Sequence, residues 1–181
     1  GKSCLLDILA QRKNVGQITG EIFFNDKPAT PKMVKKYTSY VTQEDLFHPT
    51  QTVYEAIRFY ADLRLDRTEF SFEMKDEICR TLISEIGLKG KEHQFVGGPL
   101  PGGLTFRGLS GGEKRRLSIA CGMVTSPFVL FLDEPTSGLD SHAAMMIMTL
   151  IHKYCKKGIM ILCTIHQPRN AIWDLFDQVL V

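Results

Sequence analysis

The chain opens on Gly1-Lys2-Ser3, directly ahead of a run with leucines at helical spacing. A glycine, a cation and a hydroxyl at a helix start offer a phosphate three things: bare backbone N–H groups, a charge and a ligand for its counter-ion. Three residues are only the tail of the phosphate-binding pattern G-x-x-x-x-G-K-[ST], and alone they are a weak signal. Far downstream, "VLFLDE" ends an apolar run on Asp133 and Glu134. An apolar strand ending in an acid would set Asp133 at a sheet's C-terminal edge, beside a Mg²⁺ ion. Glu134, one residue on, would accept a proton from water or position it. Neighbouring strand residues point to opposite faces, so both can serve one site only where the chain turns out of the strand. A solvated loop opening on two acids is the alternative for these residues alone.

A third group is "LSGGE", Leu109 to Glu113. Ser110 with Glu113 three residues on is a capping box, so a helix starts here. Two glycines in its first turn weaken it, at about 1 kcal/mol each relative to alanine in a helix interior. Contact between bare backbone and a phosphate would explain them, because helix N-terminal N–H groups point outward and the dipole adds positive charge there. An ordinary helix behind a glycine loop is the other reading.

The elements that must position these groups follow from periodicity. Residues 3–12, 52–65, 71–87 and 141–157 carry apolar residues at helical spacing, and 169–176 reads as a short helix. Residues 16–26 alternate and end in a turn signal, predicting a strand or hairpin, and 36–43 predicts a short strand. "PFVLFLDEP" (127–135) and "GIMILCTIHQP" (158–168) read as strands buried on both faces, as in parallel sheets. Strands alternating with helices predict an α/β fold with a mainly parallel sheet flanked by helices. The helix-rich stretch from 44 to 120 reads as an inserted α-helical subdomain, after 1–43 and before 121–181. A last strand is expected after 176, and the Gly/Pro-rich loop 96–108 leads into the "LSGGE" helix.

Composition narrows the rest. A net charge of +2 is too mild to argue for nucleic acid. Five cysteines without a CxxC pair support neither a zinc site nor a disulfide framework, so reduced, buried thiols of a cytosolic domain are expected. No apolar run approaches the ~18 residues of a membrane span. "EKRR" (113–116) reads as a solvated face. His48, His93, His142 and His152 lack any supporting motif and read as surface or packing residues. Opening on "GKS" and stopping in "DQVLV", the chain reads as cut from a longer polypeptide at both ends.

Phosphate-loop tail, "LSGGE", "LFLDEP", "SGLDS" (137–141) and "TIHQP" (164–168) occur in one order along the chain. Together they resemble the nucleotide-binding domain of an ATP-binding cassette (ABC) protein, over essentially all 181 residues. The resemblance implies a P-loop NTPase fold, with 1–43 and 121–181 forming the ATPase core. It implies that Gly1 and Lys2 hold the phosphates of ATP, that Ser3, Asp133 and Gln43 order Mg²⁺, and that these 181 residues alone, opening on the tail of the phosphate loop, bind ATP poorly and hydrolyse it negligibly. Glu134 matches the catalytic carboxylate, Gln43 the glutamine that approaches the metal and contacts a transmembrane partner, and His166 the switch histidine that senses the γ-phosphate. Ser110, Gly111 and Gly112 match the signature that binds ATP held by a second nucleotide-binding domain, in a head-to-tail sandwich, and Asp140 lies in the loop that carries signals between subunits. "RGLSGGEKRRLSIA" and "TIHQPRNAIWDLFD" look most like the G subfamily, the white/brown-type half-transporters. That implies a transmembrane domain C-terminal in the same polypeptide, a cytoplasmic-face position at a membrane, homo- or heterodimers, no nucleic-acid partner, and export of lipids, sterols or other hydrophobic compounds. The rival is a soluble ABC ATPase of DNA repair or translation; the chromosome type is disfavoured because no heptad run separates Lys2 from Ser110.

Overall fold

A computed structural model describes residues 1–13 and 15–180. Its centre is a three-stranded parallel sheet in the order β3 (Thr38–Val41), β6 (Val129–Leu132), β7 (Met160–Cys163). The register pairs Thr38 with Val129 and Val129 with Met160. Alternation sorts β6 between two layers. Val129 and Phe131 face α1 (Lys2–Leu9), in a small cluster with Leu6 and Ala10. Leu130 and Leu132 face the main core, where α5 (Gly111–Met123) and α6 (Ser141–Lys156) cover the sheet. All four β6 residues are buried, as the continuous apolar run predicts.

The other reading of a doubly buried strand fails. β7 is four residues long, as is β6, but Met160 is exposed and the next three are half-buried; among the described residues β7 pairs with β6 alone. No strand follows among residues 174–180, and Val181 lies outside the described residues. In 16–26 only β1 (Phe23–Phe24) is a strand, paired antiparallel with β2 (Lys27–Pro28). Asn25 and Asp26 between them both have positive φ, the conformation that two-residue hairpins need. A helix missed in the periodicity, α2 (Pro31–Tyr37), is capped by Thr30, whose hydroxyl accepts from the Met33 N–H, with Pro31 in the first turn.

The segment from 44 to 120 contributes α3 (Val53–Arg64), α4 (Phe72–Glu85) and α5, which pack on one another. A capping box from Thr52 and Glu55 starts α3, and Ser71 caps α4. The hydrophobic cluster runs unbroken from Ile57 and Ile83 in these helices through Leu117 to Leu130 in the sheet. Loop 96–108 also has an order that its composition hides. Gly98–Pro99 (β4) pairs antiparallel with Thr105–Phe106 (β5) around a short 3₁₀ turn. The base of this hairpin closes through glycine: a Cβ on Gly97 would lie 2.5 Å from the Gly108 nitrogen, and one on Gly108 2.4 Å from the Val96 carbonyl. That closure, with Leu109 N–H bonded to the Val96 carbonyl, fixes where α5 begins. The remaining α7 (Asn170–Trp173) buries Ile172. All five cysteines are free; Cys79 and Cys121 are buried. No helix among the described residues is long and apolar enough to cross a membrane.

Candidate functional site

The C-terminal edge of the sheet gathers the chemistry. After Leu132 the ladder continues for one bond, from the Asp133 N–H to the Val41 carbonyl at 3.0 Å. Then the chain turns: Glu134 has φ 44°, in the left-handed region. This is the turn that alternation demands if two successive acids are to serve one site. Ser3, in the first turn of α1, donates its hydroxyl to Asp133 Oδ1 at 2.8 Å. Residues 130 positions apart thereby meet. On the other side, the Gln43 amide donates to Glu134 Oε2 at 3.1 Å and to the Ser137 hydroxyl at 3.5 Å. Gln43 lies two residues past β3 and is exposed.

One member of this cluster has no sequence signal. Thr164, the residue after β7, is buried; its hydroxyl donates to Asp133 Oδ1 at 2.6 Å and accepts the Glu134 N–H at 2.9 Å. A single hydroxyl thus orients the Asp133 carboxylate and pins the strained peptide beside it. Within "TIHQP" the eye goes to the histidine, and a threonine ending a strand is otherwise unremarked.

Other expected residues stand around the cluster without joining it. Gly1 is the exposed N-cap position of α1, whose first turn carries neither an acid nor a side-chain cap, so its N–H groups face no competing anion of their own. Lys2 and His166 are exposed and make no side-chain hydrogen bond among the described residues. Asp140 caps α6, its carboxylate accepting the His142 and Ala143 N–H groups, each at 2.9 Å. Those two bonds hold its carboxyl below the usual carboxylate range. Ser3 and Asp133 supply hard oxygen atoms, the donor set Mg²⁺ takes when phosphate and water complete its shell.

The signature segment forms as its capping box predicts. Ser110 Oγ accepts the Glu113 N–H at 3.3 Å, and Glu113 Oε2 accepts the Ser110 N–H at 2.8 Å. Burial pulls the Glu113 carboxyl upward, but the Lys91 ammonium and both Ser110 donors outweigh it and hold it at about 2. The two glycines divide in role. Gly111 is exposed, whereas Gly112 is buried, and a Cβ there would sit 3.0 Å from Ala143 Cβ on α6. The cost of Gly112 in the helix therefore has a packing cause inside the chain itself.

The basic run after them overturns the reading of a solvated face. Arg115 and Arg116 are 3% and 9% exposed. Arg116 donates to the Ile86 carbonyl at 2.9 Å, and half-buried Lys114 to the Gly97 carbonyl at 2.8 Å. Each cation replaces its water with backbone carbonyls from segments distant in the chain, which is what makes burial tolerable. Nothing in the run itself announces this.

The family model described as "ABC transporter" matches residues 1–137. The chain is 52% identical over 181 residues to ABC transporter G family member 12 and 50% identical to member 8, both of Dictyostelium discoideum. It is 43% identical over 179 residues to the broad substrate specificity ATP-binding cassette transporter ABCG2 of Bos taurus. These alignments cover 99–100% of the chain but only 26–28% of each relative, so the chain spans about a quarter of the curated relatives it matches. With the oxygen-lined edge of a parallel sheet and the capped signature helix in place, the chain belongs to the ABC transporter family, with a P-loop NTPase fold, and is similar along its whole length to G-family members.

Proposed function

We propose that this domain powers a membrane transporter that exports lipids, sterols or other hydrophobic compounds, from the cytoplasmic face of its membrane. Its partners are a second nucleotide-binding domain and a transmembrane domain C-terminal in the same polypeptide. In this reading 1–43 and 121–181 form the ATPase core, and 44–120 is the helical subdomain that delivers the signature. The observation that carries the hydrolytic part is the cluster of Ser3, Asp133, Glu134 and Gln43 at the sheet's C-terminal edge.

Each residue then has a physical task. Lys2 and the free N–H groups of α1 attract the β- and γ-phosphates of ATP. Ser3, Asp133 and Gln43 would hold Mg²⁺, which when bound neutralises phosphate charge. Glu134 accepts the proton of the attacking water, and the Gln43 amide on its Oε2 restricts the carboxylate's rotation. His166, exposed and unengaged among the described residues, is available to the γ-phosphate. Ser110 and the backbone at Gly111–Gly112 offer a second phosphate site to the ATP of the opposite domain, closing two domains head to tail over two nucleotides.

The test uses the full-length polypeptide. Glu134→Gln keeps the shape but cannot take a proton, so ATP binding stays and turnover falls about 10²- to 10⁴-fold. ATP should then remain occluded through gel filtration, and adding Ser110→Arg on top should release it. Near-normal turnover in the Gln variant removes Glu134 from its role, and occlusion that survives Ser110→Arg removes the sandwich.

A further inference from the structure

Arg115 does more than satisfy itself. A guanidinium has five N–H donors in one plane, and here they reach two separate loops. Nη1 donates to the Thr42 carbonyl at 2.7 Å and Nη2 to the Gln43 carbonyl at 2.7 Å. Nη2 also donates to the Glu134 carbonyl at 3.0 Å, and Nε to the Pro135 carbonyl at 3.2 Å. Its charged partner among the described residues is Asp45, whose Oδ1 lies 3.1 Å from Nη1.

An arginine needed only for stability would be served by carbonyls from any neighbouring segment. These come from the loop after β3 and the loop after β6, the two that present Gln43 and Glu134. Glu134 needs the help most. Its left-handed backbone is disfavoured for a residue with a side chain and persists only where the surroundings over-determine it. Its N–H is held by Thr164 and its carbonyl by Arg115, so the peptide groups on both sides of its Cα are fixed.

We propose that Arg115 is a positioning residue for ATP hydrolysis, which holds Gln43 against Glu134 by bridging the backbones of the loops that carry them. The proposal rests on the hydrolytic reading above. A change here should therefore act on the chemical step and leave ATP affinity alone, because no Arg115 donor is directed at Lys2, Ser3 or the N-terminus of α1.

The experiment measures ATP turnover of the full-length polypeptide in lipid vesicles. Arg115→Ala takes a donor away from the carbonyls of Thr42, Gln43, Asp133, Glu134 and Pro135 and is expected to fold poorly, so Arg115→Lys carries the test. Lysine keeps the charge and fills most of the space, but its single ammonium cannot span both loops. We expect kcat to fall about tenfold, within the range that an ångström of misplacement commands, with KM for ATP changed less than about twofold. A structural role alone would not produce coupling to Gln43. In a Gln43→Ala background the lysine substitution should cost no more than about a further twofold, because the pair it positions is already gone. Wild-type kcat in Arg115→Lys overturns the proposal, as does a tenfold loss that persists undiminished beside Gln43→Ala, or a rise in KM at unchanged kcat. Glu134→Gln measured alongside separates the two ideas: if that variant still turns over, the hydrolytic reading has failed instead.

Discussion

Replacing Thr164 by valine removes one oxygen and almost nothing else. The hydroxyl makes two bonds, donating to Asp133 Oδ1 at 2.6 Å and accepting the Glu134 N–H at 2.9 Å, at a site 7% exposed. Losing a bond to a carboxylate costs about 1.5–3 kcal/mol, and an orphaned backbone N–H about 1–3 kcal/mol. Against this, the added methyl returns about 0.8 kcal/mol of burial. Asp133 is only half-buried and keeps Ser3, so water repays part of its loss. A net local cost of about 2 kcal/mol remains, concentrated on the Glu134 peptide. At about 1.4 kcal/mol per tenfold, the Glu134 amide should exchange with deuterium roughly 30-fold faster. ATP turnover should drop at least about tenfold as the carboxylate loses its anchor. Thr164→Ser, which retains the hydroxyl, should stay within about twofold of wild type in both. Mass-spectrometric exchange of the peptide spanning 128–137, beside steady-state ATPase rates, reads both effects. Exchange and turnover in Thr164→Val equal to wild type would refute the view that this hydroxyl holds the Glu134 turn.

Two further predictions rest on packing and charge. A Cβ on Gly122 would lie 2.7 Å from Val41 Cγ2 and 3.3 Å from Leu130 Cδ1, where α5 crosses the sheet. Gly122→Ala gains about 1 kcal/mol of helix propensity but loses about 1–3 kcal/mol to crowding against a stiff β-branched neighbour, so the midpoint of thermal inactivation should fall. An equal or higher midpoint contradicts the close approach. Glu113, held at about 2 instead of the ordinary 4.5, contributes stability that is complete above pH 4.5 and lost as pH falls toward 2. The shift corresponds to about 3 kcal/mol, reduced toward about 2 because Lys91 is 42% exposed and screened. Amide exchange in the first turn of α5 should therefore be faster in Glu113→Gln than in wild type at pH 7, and the difference in opening free energy, after correction for intrinsic exchange, should shrink below pH 4.5 and be nearly gone at about pH 2; a gap undiminished there refutes the assignment.

What the sequence determined by itself was everything encoded within a few consecutive residues. Ser110 with Glu113 spells a capping box, and "VLFL" a strand buried on both faces. Asp133-Glu134 marks its end, and the order of such groups marks the family. Caps, turns and periodicities are local bargains between a side chain and its own backbone, so they survive in the one-dimensional record. Tertiary structure alone decided what depends on partners distant in the chain. Arg115 looks like a surface cation in "EKRR" and is buried only because the carbonyls of Thr42, Gln43 and Glu134 converge on it. Thr164 matters because two parallel strands bring it beside Asp133, 31 positions away. Gly112 reads as bare backbone for a phosphate, yet a Cβ there would also crowd Ala143 on a neighbouring helix. Even β7, as apolar as β6, is half-exposed among the described residues, where it pairs with β6 alone, because burial depends on a strand's neighbours and composition does not count them.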